Sequence, residues 1–201
     1  MEAIKSANVE YVVIDGVSTD GTLELLHAHQ HVIDKLICEP DTGVYNAMNK
    51  GIAYATGKYI LFINGDDELV PEGVESVLPQ LEFGHSDVYC AITLVGSLEQ
   101  PSEILKINRS RLFFFNSVPH PSAFVKTELA RSKPFEERLR IAADYDFFLW
   151  ALMNGKTFRS LPEVVALHQR GGLSSNTQLS NAEMDTIRRR HLGTVVYTFS
   201  N

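Results

Sequence analysis

The sequence predicts an α/β fold, because strand-like and helix-like segments alternate along the chain. In the first half, short apolar runs rich in Val, Ile and aromatic residues alternate with segments whose apolar residues recur at helical spacing. This β-α-β order is typical of a sheet flanked by helices. The 201 residues are enough for one substantial core, and no internal repeat, low-complexity tract or linker divides them. We therefore expect a single domain of the α/β class.

Three strands and two helices are predicted in the first third of the chain. A polar, Gly-bearing turn follows the apolar run that ends at Asp15, and the run that begins at Lys58 gives the strongest strand signal. Apolar residues at helical spacing begin near Thr22 and again at Val44. We predict strands over residues 10–15, 35–38 and 58–63, a helix from about Thr22, and a helix over 44–55.

The remainder of the chain is less regular but still alternates. An aromatic cluster over 111–115 leads into a loop in which prolines flank His120. Pro71 suits the first turn of a helix, and the last strand contains Pro162, which should interrupt it. We predict helices over 71–81, 144–152 and 177–191, strands over 87–94, 122–125 and 158–168, and a flexible loop over 169–172.

The charge balance argues against a nucleic-acid partner. The chain carries 18 Lys and Arg against 25 Asp and Glu, a net charge of −7. A protein that binds a nucleic-acid backbone normally carries the opposite charge. No apolar run approaches the roughly 20 residues of a membrane-spanning helix, and the first ten residues show no signal-peptide pattern. We expect a cytoplasmic protein.

Two adjacent carboxylates follow the strongest predicted strand. Asp66 and Asp67 close the segment Asn64-Gly-Asp-Asp, where a rigid strand end could present hard oxygen ligands to Mg²⁺ or Mn²⁺. A cation held by so few carboxylates completes its shell with water and phosphate oxygens, so such a site suits a diphosphate substrate. The alternative is a polar turn in which one of the two only caps the next element.

A second carboxylate pair, Asp144 and Asp146, opens the predicted aromatic helix. Such residues ordinarily cap a helix or interact with its dipole, but a carboxylate among apolar neighbours can also act as a general base. His120 has two possible roles: it stabilises its loop, or it lines a pocket for an acceptor. Arg170, in a Gly-Gly loop, fits a phosphate contact or a solvated surface.

Four segments in register resemble family 2 glycosyltransferases of the GT-A fold, and most closely the bacterial members that build capsular polysaccharide, exopolysaccharide or O-antigen. The resemblance runs from about Tyr11 to Ser174 and is carried by residues 11–22, 39–51, 56–67 and 141–148. It implies a single Rossmann-like domain with a mixed central sheet. The donor nucleotide-binding half would span about residues 1–95, the acceptor-binding half about 96–175 and a C-terminal helix about 177–192.

The resemblance also implies roles for individual residues. Asp144 matches the catalytic base, and Asp67, with Asp66, matches the metal and diphosphate motif. His120 and the loop over 169–174 would border the acceptor, with Arg170 a candidate contact of the diphosphate on a mobile flap. The residues that match the donor nucleotide site are Asp15, Asp41, Gly43, Asn49, Lys50 and Asp66.

The activity implied by the resemblance is an inverting glycosyl transfer. A nucleotide-diphosphate sugar would be the donor, Mn²⁺ or Mg²⁺ the cofactor, and a saccharide, lipid-linked in related bacterial enzymes, the acceptor. A peripheral contact with the inner face of the membrane, through the basic run 188–191, and a homo-oligomer stay open. Two alternatives also stay open: a non-catalytic relative that binds a nucleotide sugar or partner proteins, and a nucleotidyltransferase, for which no Gly-rich basic loop is visible.

The sequence departs from the family pattern at its start. Family members carry a strand and a long helix before the segment equivalent to Tyr11, which this chain reaches after ten residues. We therefore expect an N-terminally truncated domain whose central sheet contains a gap with unpaired edges. Val17 stands where the family usually has Gly.

Overall fold

A computed structural model describes residue 4 and residues 8–169 and 176–197, with side chains up to residue 193. The helices in these residues are α1 (Thr22–Ala28), α2 (Val44–Tyr54), α3 (Pro71–Phe83), α4 (Thr127–Ser132), α5 (Ala143–Met153) and α6 (Thr177–Tyr197). The strands are β1 (Val12–Asp15), β2 (Lys35–Cys38), β3 (Tyr59–Ile60), β4 (Asp67–Leu69), β5 (Val88–Gly96), β6 (Pro101–Leu105), β7 (Ala123–Lys126) and β8 (Phe158–His168).

The strands form two sheets. The strands β1 and β2 make a parallel pair. The other six form a mixed sheet in the order β3-β7-β5-β8-β4, with β6 alongside the end of β5. Within this sheet β5 and β8 are parallel, and the other pairings are antiparallel. Among the described residues no strand joins β1 to β3, so the two sheets are not connected by hydrogen bonds.

The core lies between the six-stranded sheet and α5. Nearly every residue of α5 is buried, including the first-turn carboxylates Asp144 and Asp146. An apolar helix of this kind has no face suited to water and must be enclosed. It packs with α2, β5, β7 and α6, and α6 contributes the fully buried Ile187. The helix that carries Asp144 is therefore fixed on all sides.

A close approach of α3 to β8 depends on a glycine. A Cβ atom placed on Gly73 would lie 1.7 Å from the carbonyl oxygen of Val164. No side chain fits there, so Gly73 lets the first turn of α3 rest directly on β8. The strand β8 in turn pairs with β4 and ends at His168.

Several elements differ from the prediction. The strand β1 begins at Val12, and the short elements α4, β4 and β6 were not predicted. The strand expected over 58–63 is only Tyr59–Ile60, because it pairs with β7 through these two residues alone. Pro162 does not divide β8; the strand instead changes register between Ser160 and Val164, and this irregularity accommodates a residue without an N–H. The last helix extends to Tyr197, with a non-helical residue at Gly193. None of the helices in the described ranges is long and apolar enough to cross a membrane.

Candidate functional site

The two sheets border a cleft of about 1580 Å³ that is lined by part of the predicted site residues. Its walls come from β1, α2, the chain between β3 and β4, the loop before β7, and the start of α5. The residues Asp15, Asp66, Asp67, His120 and Asp144 all line it. The carboxylates predicted for the donor and for the base thus face one shared space, although they lie far apart in the sequence.

The side chain of Asp67 is held at the floor of the cleft by β8. Asp67 begins β4 and lies opposite His168 in the antiparallel register. Its carboxylate is fully buried, and Oδ1 lies 2.7 Å from Nδ1 of His168. The backbone N–H of Asn64 donates to Oδ2 over 3.4 Å. His168 was not predicted as a site residue, but its position at the end of an apolar strand is a signal that could have found it.

The donor set at this floor fits a divalent cation that a substrate helps to hold. Asp66 is exposed beside the buried Asp67. Within the described ranges, no group of three or more His, Cys, Asp and Glu side chains is arranged to hold a metal ion. A hard cation here would therefore take one or two carboxylate oxygens from the protein, and water and phosphate oxygens for the rest, as Mg²⁺ and Mn²⁺ sites commonly do.

The carboxylate of Asp144 is held by two side chains from other elements. Asn116 donates from Nδ2 to Oδ2 over 2.7 Å. The Tyr45 hydroxyl lies 3.1 Å from Oδ1 and 2.6 Å from the carbonyl oxygen of Ile141. Burial raises the pKa of Tyr45, so its hydroxyl remains a donor at any physiological pH. Asn116 and Tyr45 were both missed by the sequence analysis.

His120 lies behind Asp144 in an aromatic pocket. Its Nδ1 is 3.9 Å from Oδ2 of Asp144, and its ring packs against Phe62, Phe135 and Phe148. Burial lowers the pKa of His120, so the imidazole is neutral near pH 7. Its Nε2 has no hydrogen-bond partner within the described part of the chain. The prediction that His120 borders an acceptor is compatible with this position and stays a prediction.

Asp15 is at the far end of the cleft, in the turn after β1. Its Oδ2 accepts hydrogen bonds from the backbone N–H groups of Val17 and Ser18. The Ser18 side chain and these N–H groups together lower the pKa of Asp15. Val17 has a φ of 68°, a left-handed conformation that a β-branched residue rarely adopts. The turn therefore has a backbone conformation that suits Gly even though Val occupies the position.

Four further residues predicted for the nucleotide do not line the cleft. Asp41 accepts from the N–H of Gly43 over 2.9 Å. Asn49 exchanges hydrogen bonds with the backbone of Phe135, and Lys50 forms an ion pair with Glu39 at 3.1 Å. The side chain of Asp41 thus holds the turn before α2, and those of Asn49 and Lys50 join α2 to neighbouring segments. Arg170 lies outside the described residues.

The two carboxylates at the start of α5 have different surroundings. Asp146 faces α6 and accepts from Lys133 over 2.9 Å, with Nε2 of His191 at 2.8 Å. Of the pair, Asp144 alone lines the cleft. The backbone before α5 is held by Glu183 of α6, whose carboxylate accepts the N–H groups of residues 140, 141 and 142 at 2.7, 2.9 and 2.9 Å.

Several curated proteins are similar in sequence to this chain. A PGL/p-HBAD biosynthesis glycosyltransferase from Mycobacterium bovis is 30% identical over 188 residues, which cover 84% of this chain and 68% of that protein. The chondroitin synthase of Pasteurella multocida is 24% identical over 193 residues, 92% of this chain and 19% of that much longer protein.

Solved structures share the fold. S. aureus TarS in complex with UDP-GlcNAc superposes with a TM-score of 0.71 at 19% identity, over 87% of this chain and 55% of that one. The mannosyltransferase PcManGT from Pyrobaculum calidifontis, in complex with GDP-Man and Mn²⁺, gives a TM-score of 0.61 at 21% identity, over 91% of this chain and 52% of that one. The chain thus has the GT-A fold and spans just over half the length of these structures. The sequence profile described as glycosyl transferase family 2 matches residues 1–138, so the chain belongs to that family.

Proposed function

We propose that this chain catalyses an inverting transfer of a sugar from a nucleotide-diphosphate donor to the hydroxyl group of a saccharide acceptor. The observation that carries the proposal is the position of Asp144 on the same cleft as Asp66 and Asp67. The departing diphosphate gains negative charge, which must be neutralised, and the acceptor hydroxyl must lose a proton to a base. Two separated carboxylate groups on one cleft meet both needs.

Asp144 is the general base of the proposed reaction. It takes the proton of the acceptor hydroxyl while that oxygen attacks the anomeric carbon and the bond from this carbon to the diphosphate breaks. A single displacement of this kind inverts the anomeric centre and needs no covalent sugar intermediate. Asn116 and Tyr45 hold the carboxylate in one orientation through their hydrogen bonds.

The donor half, about residues 1–95, binds the nucleotide diphosphate. Asp15 approaches the nucleoside from the turn after β1, and Asp41, Gly43, Asn49 and Lys50 belong to the segment that closes over it. Asp67, with Asp66, would hold Mn²⁺ or Mg²⁺, and a bound cation would neutralise the charge that develops on the departing diphosphate. The complexes of structural neighbours with UDP-GlcNAc, and with GDP-Man and Mn²⁺, support this assignment.

The acceptor half, about residues 96–175, receives a saccharide that is attached to a lipid, in the synthesis of a bacterial surface glycan. His120 and Arg170 border this acceptor. Similarity to a glycosyltransferase of PGL/p-HBAD biosynthesis and to a chondroitin synthase supports the proposed process. We place the protein in the cytoplasm, at the inner face of the membrane.

A non-catalytic relative is the second candidate. Asn49 is hydrogen-bonded to Phe135 and Lys50 is paired with Glu39, and neither side chain faces the cleft. This observation favours a protein that has the fold of the family but does not catalyse transfer. Such a protein would lose nothing measurable when Asp144 is replaced.

Thermal unfolding and donor turnover together test the proposal. Wild-type protein is compared with the Asp66→Ala, Asp67→Ala double variant and with Asp144→Asn, in Mn²⁺ and a panel of nucleoside diphosphates. Exposed Glu75→Gln on α3 is the matched control. A diphosphate at about 100 times its dissociation constant should add about 2.7 kcal/mol, a rise of roughly 5–10 °C in the midpoint.

The variants separate the two candidates. We expect the double variant to lose the metal-dependent shift, and Asp144→Asn to keep the shift while its transfer rate falls by about 10²-fold or more. Full activity of Asp144→Asn would overturn the assignment of the base. Donor binding by wild type and by Asp144→Asn, without transfer by either, would establish the non-catalytic relative.

A further inference from the structure

Three consecutive aromatic side chains project from a hydrogen-bonded turn between β6 and β7. We call residues 109–115 the Phe turn. Phe113, Phe114 and Phe115 are 36, 41 and 38% exposed, whereas Leu112 between them and Arg111 is fully buried. Exposed aromatic residues normally occur singly. Three in succession on one turn therefore indicate an apolar surface that contacts a binding partner.

The Phe turn has a defined conformation. The N–H groups of Arg111 and Leu112 donate to the carbonyl oxygen of Asn108, and those of Phe114 and Phe115 donate to Arg111. Leu112 packs into the same core as α5 and anchors the turn from below. The three rings are therefore presented by a fixed backbone, which makes their exposure a property of the fold.

Basic residues flank the three rings in the sequence. Lys106, Arg109 and Arg111 are exposed, and no Asp or Glu occurs between Glu103 and Glu128, although the whole chain has a net charge of −7. The Arg111 guanidinium lies over the Phe115 ring at 4.9 Å. The segment that carries the Phe turn is therefore basic although the whole chain is acidic; Asp185, which pairs with Arg188, is an acidic side chain beside it.

The basic run of α6 adjoins the same surface. Arg188 donates to the carbonyl oxygen of Phe114, which places α6 beside the Phe turn. The next two residues of the helix, Arg189 and Arg190, are exposed. Arg188 thus places the start of the basic run beside the aromatic turn, whereas Arg190 and His191 contact the buried Asp146.

We propose that the Phe turn, with Arg109 and Arg111, docks on the surface of an anionic lipid bilayer. Aromatic rings are favoured at the level of lipid headgroups, where their apolar faces leave water, and arginines pair with lipid phosphates. A protein partner would bind the exposed rings without needing the neighbouring basic residues, whereas an anionic bilayer attracts both the rings and the basic residues. With three rings and a few cations, the contact is peripheral and reversible.

This docking would place the cleft at the membrane surface. Asn116 directly follows Phe115 and donates to Asp144, so the docked turn and the proposed base are separated by one side chain. This consequence rests on the proposed function, whereas the docking surface itself does not.

Vesicle co-sedimentation tests the proposal without donor, metal or acceptor. The full chain is mixed with vesicles of phosphatidylcholine alone, or of phosphatidylcholine with phosphatidylglycerol. The variants are Phe113→Ser, Phe114→Ser, Phe115→Ser combined, and separately Arg109→Gln, Arg111→Gln. The control is Phe83→Ser, which replaces a ring that is 76% exposed at the end of α3.

We expect wild type and Phe83→Ser to bind the anionic vesicles equally, and less tightly as salt is raised. Each Phe turn variant should bind at least about tenfold more weakly with an unchanged unfolding midpoint. If the triple Phe variant does not fold, the Arg109→Gln, Arg111→Gln variant still tests whether the Phe turn binds the vesicles. Absence of vesicle binding, equal binding to neutral vesicles, or full binding by either variant would overturn the proposal. Because no donor is present, failure here leaves the transfer activity untouched.

Discussion

At the scale of single residues, the candidate base depends on neighbours that are remote in sequence. Asp144 is identified by its place in the motif at the start of α5, but its hydrogen-bond donors are Asn116, in an irregular loop, and Tyr45, on α2. Tyr45 lies in the segment 39–51 that carries the family resemblance, but no local pattern links either donor to Asp144, which is 99 residues from Tyr45 and 28 from Asn116. Tertiary folding alone brings them to the carboxylate.

Replacing Asn116 should slow transfer without weakening donor binding. The Asn116→Ala variant removes the 2.7 Å hydrogen bond to Asp144, and a bond to a charged group contributes about 1.5–3 kcal/mol. We expect kcat to fall by about 10- to 100-fold while the stabilisation by Mn²⁺ and nucleoside diphosphate is unchanged. Asn154→Ala, at the exposed end of α5, is the control. A wild-type kcat for Asn116→Ala would show that the bond does not position the base.

At the scale of elements, α6 completes the start of α5. No side chain caps α5 from its own N-cap residue, Ala142. The carboxylate of Glu183 instead accepts three consecutive N–H groups just before the helix, where an anion also interacts favourably with the helix dipole. The position of Asp144 thus depends on a residue of another helix.

Substitution of Glu183 should destabilise the fold and slow transfer together. Glu183→Ala leaves three N–H groups without this acceptor, which should cost about 2–4 kcal/mol in the free energy of unfolding, and Glu183→Gln, with one acceptor oxygen, about half as much. Urea unfolding measures the loss, with Glu75→Gln as the exposed control. An unfolding free energy within about 0.5 kcal/mol of wild type for Glu183→Ala would contradict the capping role.

The sequence predicts the elements of this fold better than their tertiary contacts. Local patterns place α2, α3, α5 and β2 within about two residues, since apolar spacing and helix signals are properties of the segment itself. They overestimate β3, whose length depends on its pairing with β7. They also miss His168, because its approach to Asp67 follows from the β4-β8 register. The contacts of Asn49 and Lys50 likewise depend on the packing of α2.

At the scale of the whole molecule, one buried carboxylate links three segments. Asp146 is 1% exposed and faces Lys133 of the loop after α4, along with Arg190 and His191 of α6. Burial alone would raise the pKa of Asp146, but the hydrogen bonds from His191 and Lys133 lower it to about 2. A carboxylate whose pKa falls on folding stabilises the native state when it is ionised.

The stability that Asp146 contributes should disappear in acid. Its pKa falls from 3.8 in the unfolded chain to about 2, which corresponds to about 2 kcal/mol above pH 5. As the pH falls, the unfolded state binds the proton first, so the contribution declines below about pH 4 and is roughly halved by pH 3. We expect the difference in unfolding free energy between wild type and Asp146→Asn to follow this curve. A difference independent of pH between 7 and 3 would exclude the ionised carboxylate as its source.

The dependence of α5 on α6 also has a consequence for synthesis of the chain. Ala142 and Glu183 are 41 residues apart in the sequence. The ribosome therefore adds the residues that donate the capping hydrogen bonds well before it adds Glu183, which accepts them. When α5 of a nascent chain has just been synthesised, the carboxylate that holds its first turn has not yet been made. The partners of Asp146 on α6 are synthesised later still. The start of α5, which carries Asp144, therefore completes its hydrogen bonds only after α6 has been made. Removal of α6 would take away the carboxylate of Glu183 and leave every motif residue in the chain.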